Sequence, residues 1–316
     1  LMTALAALGR LDEAIAVRDS ADVVQADEPY GKASRALLLA TAGQPERARS
    51  VLAQGPPTTY AAAAVWEVHV SGIIEELTGH LDLAEERFRA AERLMAEQLT
   101  PSDQLLVGMF LPWTLSWIEG DSARATIELE ALLERVELAS LSPFNREYPF
   151  IALTYALNGD DEKASAMLAR YRAEAARLRD PLSEARAGIA QALVRVNASG
   201  PSALAELESA VESYRCARCR DFFLGHGYEV AGVPNRAIEA YERFLARRFF
   251  DGNVFIGLGL NTSVHERLGR LHDQVGNAAQ AAEHYRAFAD LWSDADADLQ
   301  PRVHHAAERA AALSPR

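Results

Sequence analysis

The sharpest chemical signal in the sequence is Cys216-Ala217-Arg218-Cys219, followed at a distance by His226. A structural zinc site wants four ligands, most often two such cysteine pairs, and the chain has only 2 cysteines. A thioredoxin-like redox motif wants a strand ahead of it, and nothing upstream reads as strand. Cys216 and Cys219 are therefore expected to be small helix residues packed between neighbouring elements, in a reducing compartment. Asp294, Asp296 and Asp298 alternate like the start of a calcium loop, but the loop's glycine would fall on Leu299 and its bidentate glutamate on His305. A solvated acidic turn is the reading.

Gly257-Leu258-Gly259 has the look of a phosphate-cradling loop, yet it lacks the lysine of a nucleotide P-loop and any preceding strand. The 8 histidines form no His-Glu-x-x-His pair, and His304-His305 put adjacent rings on different faces of a helix. No Gly-x-Ser-x-Gly elbow occurs. The sequence thus predicts no catalytic residue, no metal ligand and no cofactor, which argues against an enzyme.

Charge narrows the partners. Lys and Arg total 32 against 45 Asp and Glu, a formal net charge of -13, and a chain this acidic repels phosphate backbones. Nucleic acid is excluded as a partner on that ground. No apolar run approaches the roughly 18 residues of a membrane span, and no signal-peptide pattern opens the chain, so no membrane contact and a cytoplasmic location are expected. The sequence starts at Leu1 in what reads as mid-helix, which points to a fragment of a longer protein.

The elements that would hold any site are helices. Alanine makes up close to a fifth of the chain, with Leu, Glu and Arg abundant and few β-branched runs. A glycine followed five positions later by alanine recurs at Gly9/Ala14, Gly43/Ala48, Gly79/Ala84, Gly120/Ala125, Gly159/Ala164, Gly200/Ala205, Gly232/Ala237 and Gly276/Ala281. Each glycine lies between two apolar-periodic segments, where it can end one helix in the left-handed conformation, and the alanine lets the next helix pack closely. Pro101, Pro143, Pro181 and Pro201 precede further periodic segments, as prolines in a first helical turn do.

This pattern resembles the tetratricopeptide repeat, whose consensus joins two antiparallel helices through such a glycine about every 34 residues. Leu224-Gly225, Tyr228, Gly232, Ala237, Tyr241 and Phe244 fill its positions most completely. Leu268-Gly269 with Gly276, Ala281, Tyr285 and Phe288, and Gly72 with Gly79, Ala84, Phe88 and Ala91, follow closely. The resemblance implies an all-α superhelix of about eight helical hairpins over residues 1-316, closed by a capping helix at 300-313 with Val303, Ala307 and Ala310 on its buried stripe. Leu1 to Ser20 would be an incomplete first hairpin.

The same resemblance places the first helix of each hairpin on an inner groove. The stripe before Gly79 carries Trp66 and His69, with Glu76; before Gly120 it carries Phe110, Thr114 and Trp117; before Gly232, Phe222, His226 and Glu229; before Gly276, Arg270 and Asp273. These are the expected partner-binding residues, aromatic in the middle of the groove and charged toward its end, for a protein or peptide ligand. The family's clamp for chaperone tails wants Lys and Asn on such stripes, and they are missing. Tyr285 to Leu313 also resembles the end of repeat arrays in large bacterial signalling proteins, where the array follows a Ser/Thr kinase or a winged-helix DNA-binding domain. That resemblance implies a non-enzymatic, partner-recruiting or regulatory role, with contact to a missing upstream domain as one outlet. The competing expectation is an array that senses a small molecule inside its superhelix.

Overall fold

The structure is a computed structural model, and it describes residues 5, 10–21, 30–54, 60–98, 100–174, 178, 180–247 and 259–314. Every regular element among them is helical. The chain runs through α1 (Leu11–Ala21), α2 (Gly31–Thr41), α3 (Pro45–Ala53), α4 (Ala61–Thr78), α5 (Leu81–Gln98), α6 (Pro101–Gly108) and α7 (Phe110–Trp113). A π-helix (Thr114–Glu119) extends α7, followed by α8 (Ser122–Val136), α9 (Tyr148–Leu157), α10 (Asp161–Glu174), α11 (Pro181–Ser199) and α12 (Leu204–Glu212). Then come α13 (Ala217–Val230), α14 (Pro234–Ala246), α15 (Gly259–Gln274), α16 (Ala278–Leu291) and α17 (Gln300–Leu313). No helix here is long and apolar enough to cross a membrane.

Successive helices pair as antiparallel hairpins, and the turns explain why. Gly43, Gly79, Gly120, Gly159, Gly200, Gly232 and Gly276 all have positive φ. At Gly43, Gly79, Gly159, Gly232 and Gly276 the hydrogen bonds repeat: the glycine N–H and the next N–H donate back to carbonyls three and five residues earlier, as with Gly276 to Asp273 and Asn277 to His272. This Schellman closure satisfies carbonyls that the helix end would otherwise orphan. Ala48, Ala84, Ala125, Ala164, Ala237 and Ala281 are fully buried. Gly9 lies outside the described residues.

Two turns differ. Pro112 offers no N–H to the helical ladder, the ladder loosens, and Thr114–Glu119 widens into a π-turn before Gly120. Gly200 takes φ 59 and ψ -135 and leads into a 3-10 turn, Gly200–Ala203, that rotates α12. Ala205 is therefore exposed, and Leu204, Leu207 and Val211 supply the buried face instead. Pro101 and Pro181 open α6 and α11, while Pro143 and Pro201 open 3-10 turns.

The array curls until its C-terminal hairpin meets the α4–α5 turn and the π-turn before Gly120. The Asp296 N–H donates to the Gly79 carbonyl at 3.1 Å, and Asp296 Oδ2 accepts from the Asp82 N–H at 2.9 Å. Thr262 Oγ1 donates to the Leu77 carbonyl at 3.1 Å, and Arg302 Nη1 donates to the Ile118 carbonyl at 2.8 Å. A Cβ on Gly79 would come within 2.6 Å of the Ala295 Cβ and 2.9 Å of the Trp292 ring, so here the glycine serves both the turn and the approach. The acidic turn expected at Asp294 to Asp298 is thus part of this closure. α17 covers Gln300–Leu313, but Ala306 with Val303 and Ala310 forms its buried stripe, and Ala307 faces solvent. Arg302 gives α17 a second task, tying α7's π-turn to the last hairpin.

Candidate functional site

Closure decides the fate of the inward-facing stripes. His69, Phe110, Thr114, Trp117, Phe222 and His226 are all buried, and Trp66 is half-buried. They lie on the stripes that helical spacing requires, but neighbouring helices cover Trp66, His69 and Phe110, and Trp117 meets Phe222 and His226 of α13. Where an open aromatic groove was expected, the described residues form a packed seam. Its N-terminal part stacks Trp66 on His69 at 5.4 Å and sets the edge of Phe110 against His69 at 3.8 Å. Its central part sets Trp117 against Phe222 at 4.8 Å and His226 at 4.6 Å, with Arg267 over the Trp117 ring at 5.0 Å.

Polar groups inside this seam bear the cost of burial. Thr114 Oγ1 donates to Glu76, and burial raises the Glu76 carboxyl to about 8, so it is held as the neutral acid at pH 7. Burial lowers His69 to about 3, and burial with the nearby Arg267 lowers His226 to about 3. Both ring nitrogens of His69, Nδ1 of His226 and Nε1 of Trp117 are buried without a hydrogen-bond partner. Such groups are costly in a core, which makes them the least comfortable atoms of the seam.

The charged end of the stripe is open. Glu229, Gly232, Pro234, Arg270, Leu271 and Gln274 line a cleft of about 260 Å³ between the turn of one hairpin and the inner helix of the next. Glu229 is held there by three donors: Tyr241 Oη at 2.8 Å, Arg267 at 2.8 Å and Arg270 at 3.1 Å. Burial pushes Glu229 up, but the Arg267 charge and the Tyr241 hydroxyl outweigh it and hold the carboxylate below its usual range. Arg270 is mostly exposed and donates to Oε1, whereas Tyr241 and Arg267 both donate to Oε2. Asp273, one turn on, pairs with Arg309 of α17 at 2.6 Å. Val230, beside Glu229 in sequence, is 46% exposed.

Of the ten residues expected to bind a partner, only Glu229 and Arg270 line this cleft, with Asp273 nearby on the same helix. Arg267 lay outside the reading because it is off the expected stripe; its signal is its place one helical turn before Arg270, facing Trp117. Cys216 and Cys219 are corrected too: they are joined in a disulfide at the start of α13, where Cys216 Sγ also accepts the Cys219 N–H at 3.1 Å. Their support for a reducing compartment lapses with it. Gly257 lies outside the described residues, and Gly259 opens α15 pressed against Ile118 and Glu76. Away from the cleft, Glu242, His272 and His284 bring a carboxylate and two imidazoles together.

No protein-family model matches the chain, and no curated protein matches it. Among solved structures, the crystal structure of the APC/C hetero-tetramer Cut9-Hcn1 aligns with 99% of this chain and 76% of the other at 13% identity. Its TM-score is 0.29, too loose a superposition to carry an argument.

Proposed function

We propose that the chain is a non-enzymatic recognition array that binds a segment of another protein in the cleft between Glu229 and Arg270. The observation that carries this is the cleft itself: an opening between consecutive hairpins whose one weakly committed cation, Arg270, stands over an apolar floor of Pro234 and Leu271. Glu229 keeps Tyr241 and Arg267 when Arg270 turns away, so Arg270 can take up a ligand carboxylate without stranding a buried charge. The ligand is then a short peptide segment with an acidic group and an adjacent apolar side chain. The sequence resemblance of the last segment supports placing the array in the regulatory or partner-recruiting part of a bacterial signalling protein, with an upstream domain of the same chain as an alternative source of that segment.

Fluorescence anisotropy with short acidic, neutral and basic peptides tests the reading. Acidic peptides should bind, more weakly at high salt, and Arg270→Gln should reduce their affinity at least tenfold without moving the melting temperature. Equal binding of basic peptides, or indifference to Arg270→Gln, would overturn it.

A second reading, a small molecule sensed inside the superhelix, is favoured by one observation: the unpartnered polar atoms of His69, Trp117 and His226 in an otherwise apolar seam. A ligand satisfying them would raise the melting temperature of the wild type and not that of His69→Phe. Thermal shift against a panel of polar aromatic compounds separates this reading from the first.

A further inference from the structure

The last two hairpins carry a cluster that no sequence motif announces. His265 and His272 lie two helical turns apart on one face of α15, and His284 of α16 sits against both. His265 Nδ1 and His284 Nδ1 are 3.0 Å apart, and the His272 and His284 rings are nearly parallel at 5.4 Å. Glu242 of α14 brings Oε1 to 3.3 Å from His272 Nε2. One ligand atom from each of Glu242, His272 and His284 lies within 4.8 Å of the other two.

We propose that Glu242, His272 and His284 form a binding site for a divalent cation of the zinc class, with His265 and Asn277 as positioning residues. Zinc bonds of about 2.0 to 2.2 Å in tetrahedral geometry place their ligands roughly 3.5 Å from one another. The His272–Glu242 pair already has that separation. The remaining contraction falls on His284, which is half-buried, and on Glu242, whose side chain is exposed, while His272 is fixed in the core. Two imidazoles and one carboxylate suit zinc, cobalt or nickel, and not the all-oxygen preference of magnesium or calcium.

The surroundings fit the role. Metal on His272 Nε2 puts the proton on Nδ1, which faces the Asn277 side-chain amide at 3.3 Å; turning that amide presents its oxygen as the acceptor. Metal on the Nε2 of His284 leaves its Nδ1–H to donate to His265 Nδ1. Three protein ligands leave a fourth position for water or for a partner's side chain, on the solvent side where Glu242 stands. An ion there would clamp α14 to the α15–α16 hairpin.

The test is calorimetric titration of zinc chloride into tag-free, chelator-stripped full chain, paired with the visible spectrum of the cobalt form and with melting curves. One equivalent is expected, with a rise in melting temperature and cobalt d–d bands of four-coordinate character. Glu242→Gln alters an exposed side chain, so it should leave the metal-free melting curve unchanged while weakening zinc at least tenfold. His284→Ala should do the same or more, and His265→Ala or Asn277→Ala should weaken it about tenfold. The double substitution His304→Ala, His305→Ala should change nothing. The proposal is overturned if zinc fails to bind below about 100 μM (roughly 5.5 kcal/mol), if Glu242→Gln leaves binding intact, or if the His304/His305 double variant abolishes it.

Discussion

One inward-facing stripe runs through this array, and its two halves have opposite fates. From Trp66 to Trp117 the stripe is covered: Trp66, His69 and Phe110 pack on one another and on Phe88 of α5, and Trp117 packs on Phe222 and His226 of α13. From Glu229 to Asp273 the same register opens onto solvent, and its charges meet across a cleft. Helical periodicity sets the direction of a side chain; what stands opposite is set by how tightly the superhelix closes. An aromatic on such a stripe is core wherever neighbouring or facing helices cover it, and a contact residue only where the stripe opens to solvent.

The largest expected effect tests the covered half. Trp117→Ala removes a ring held between Phe222, His226 and Arg267, and should cost about 3 to 5 kcal/mol by chemical denaturation. A loss below about 1 kcal/mol, with peptide binding impaired, would return Trp117 to the binding surface and erase the difference between the halves.

The closure itself can be broken at one atom. Gly79 and Gly43 make the same left-handed turn with φ of 82 and 75, but a Cβ at Gly43 meets nothing within 4 Å. Gly43→Ala should cost about 1 kcal/mol for the backbone alone. Gly79→Ala adds the clash with Ala295 and Trp292, for a total of about 3 kcal/mol. Equal losses would mean that the C-terminal hairpin does not close on the α4–α5 turn.

The turns were legible in the sequence because glycine is nearly alone in accepting positive φ at low cost, so the Gly/Ala spacing carries a physical constraint. Ala205 escaped because the 3-10 turn after Gly200 rotates α12, which periodicity cannot foresee. Closure escaped because it rests on pairs such as Asp82 and Asp296, distant in sequence and polar, with no pattern to link them. The same holds for Glu242, His272 and His284, which three helices contribute. The Cys216–Cys219 disulfide is not legible because a two-residue spacing serves metal ligands, catalytic thiols and a direct sulfur–sulfur bond alike.

Burial of polar groups in the covered half should also show in pH. Glu76 stays protonated in the folded state up to about 8 but ionises near 4.5 when unfolded, so between those values the folded state binds the extra proton. Stability from this group is full below 4.5 and falls as pH rises toward 8, by at most about 1.4 kcal/mol per pH unit. His69 and His226 act with the opposite sign in an overlapping window: neutral when folded down to about 3 and protonated near 6.5 when unfolded, they add stability that is present above 6.5 and lost as pH falls toward 3. Glu76→Gln should flatten the fall between 6.5 and 8, steepen the rise between 4.5 and 6.5 where the two effects oppose, and leave the limb below 4.5 unchanged. An alkaline limb that survives the substitution would place its origin elsewhere.

The smallest effect is expected in the open half, and it separates two arginines one helical turn apart. Arg270 is mostly exposed and donates to Glu229 Oε1, while Tyr241 and Arg267 hold Oε2 of the same carboxylate without it. Arg270→Ala should therefore change stability by no more than about 0.5 kcal/mol, the range of ordinary surface substitutions. Arg267 is largely covered, lies over Trp117 and neutralises a mostly buried carboxylate. Arg267→Ala strands that charge beside the aromatic seam and should cost about 3 kcal/mol. Denaturation of the two variants side by side checks this, since the chemistry removed is the same. Equal costs would show that the cleft is as tightly built as the seam, leaving Arg270 no freedom to engage a ligand.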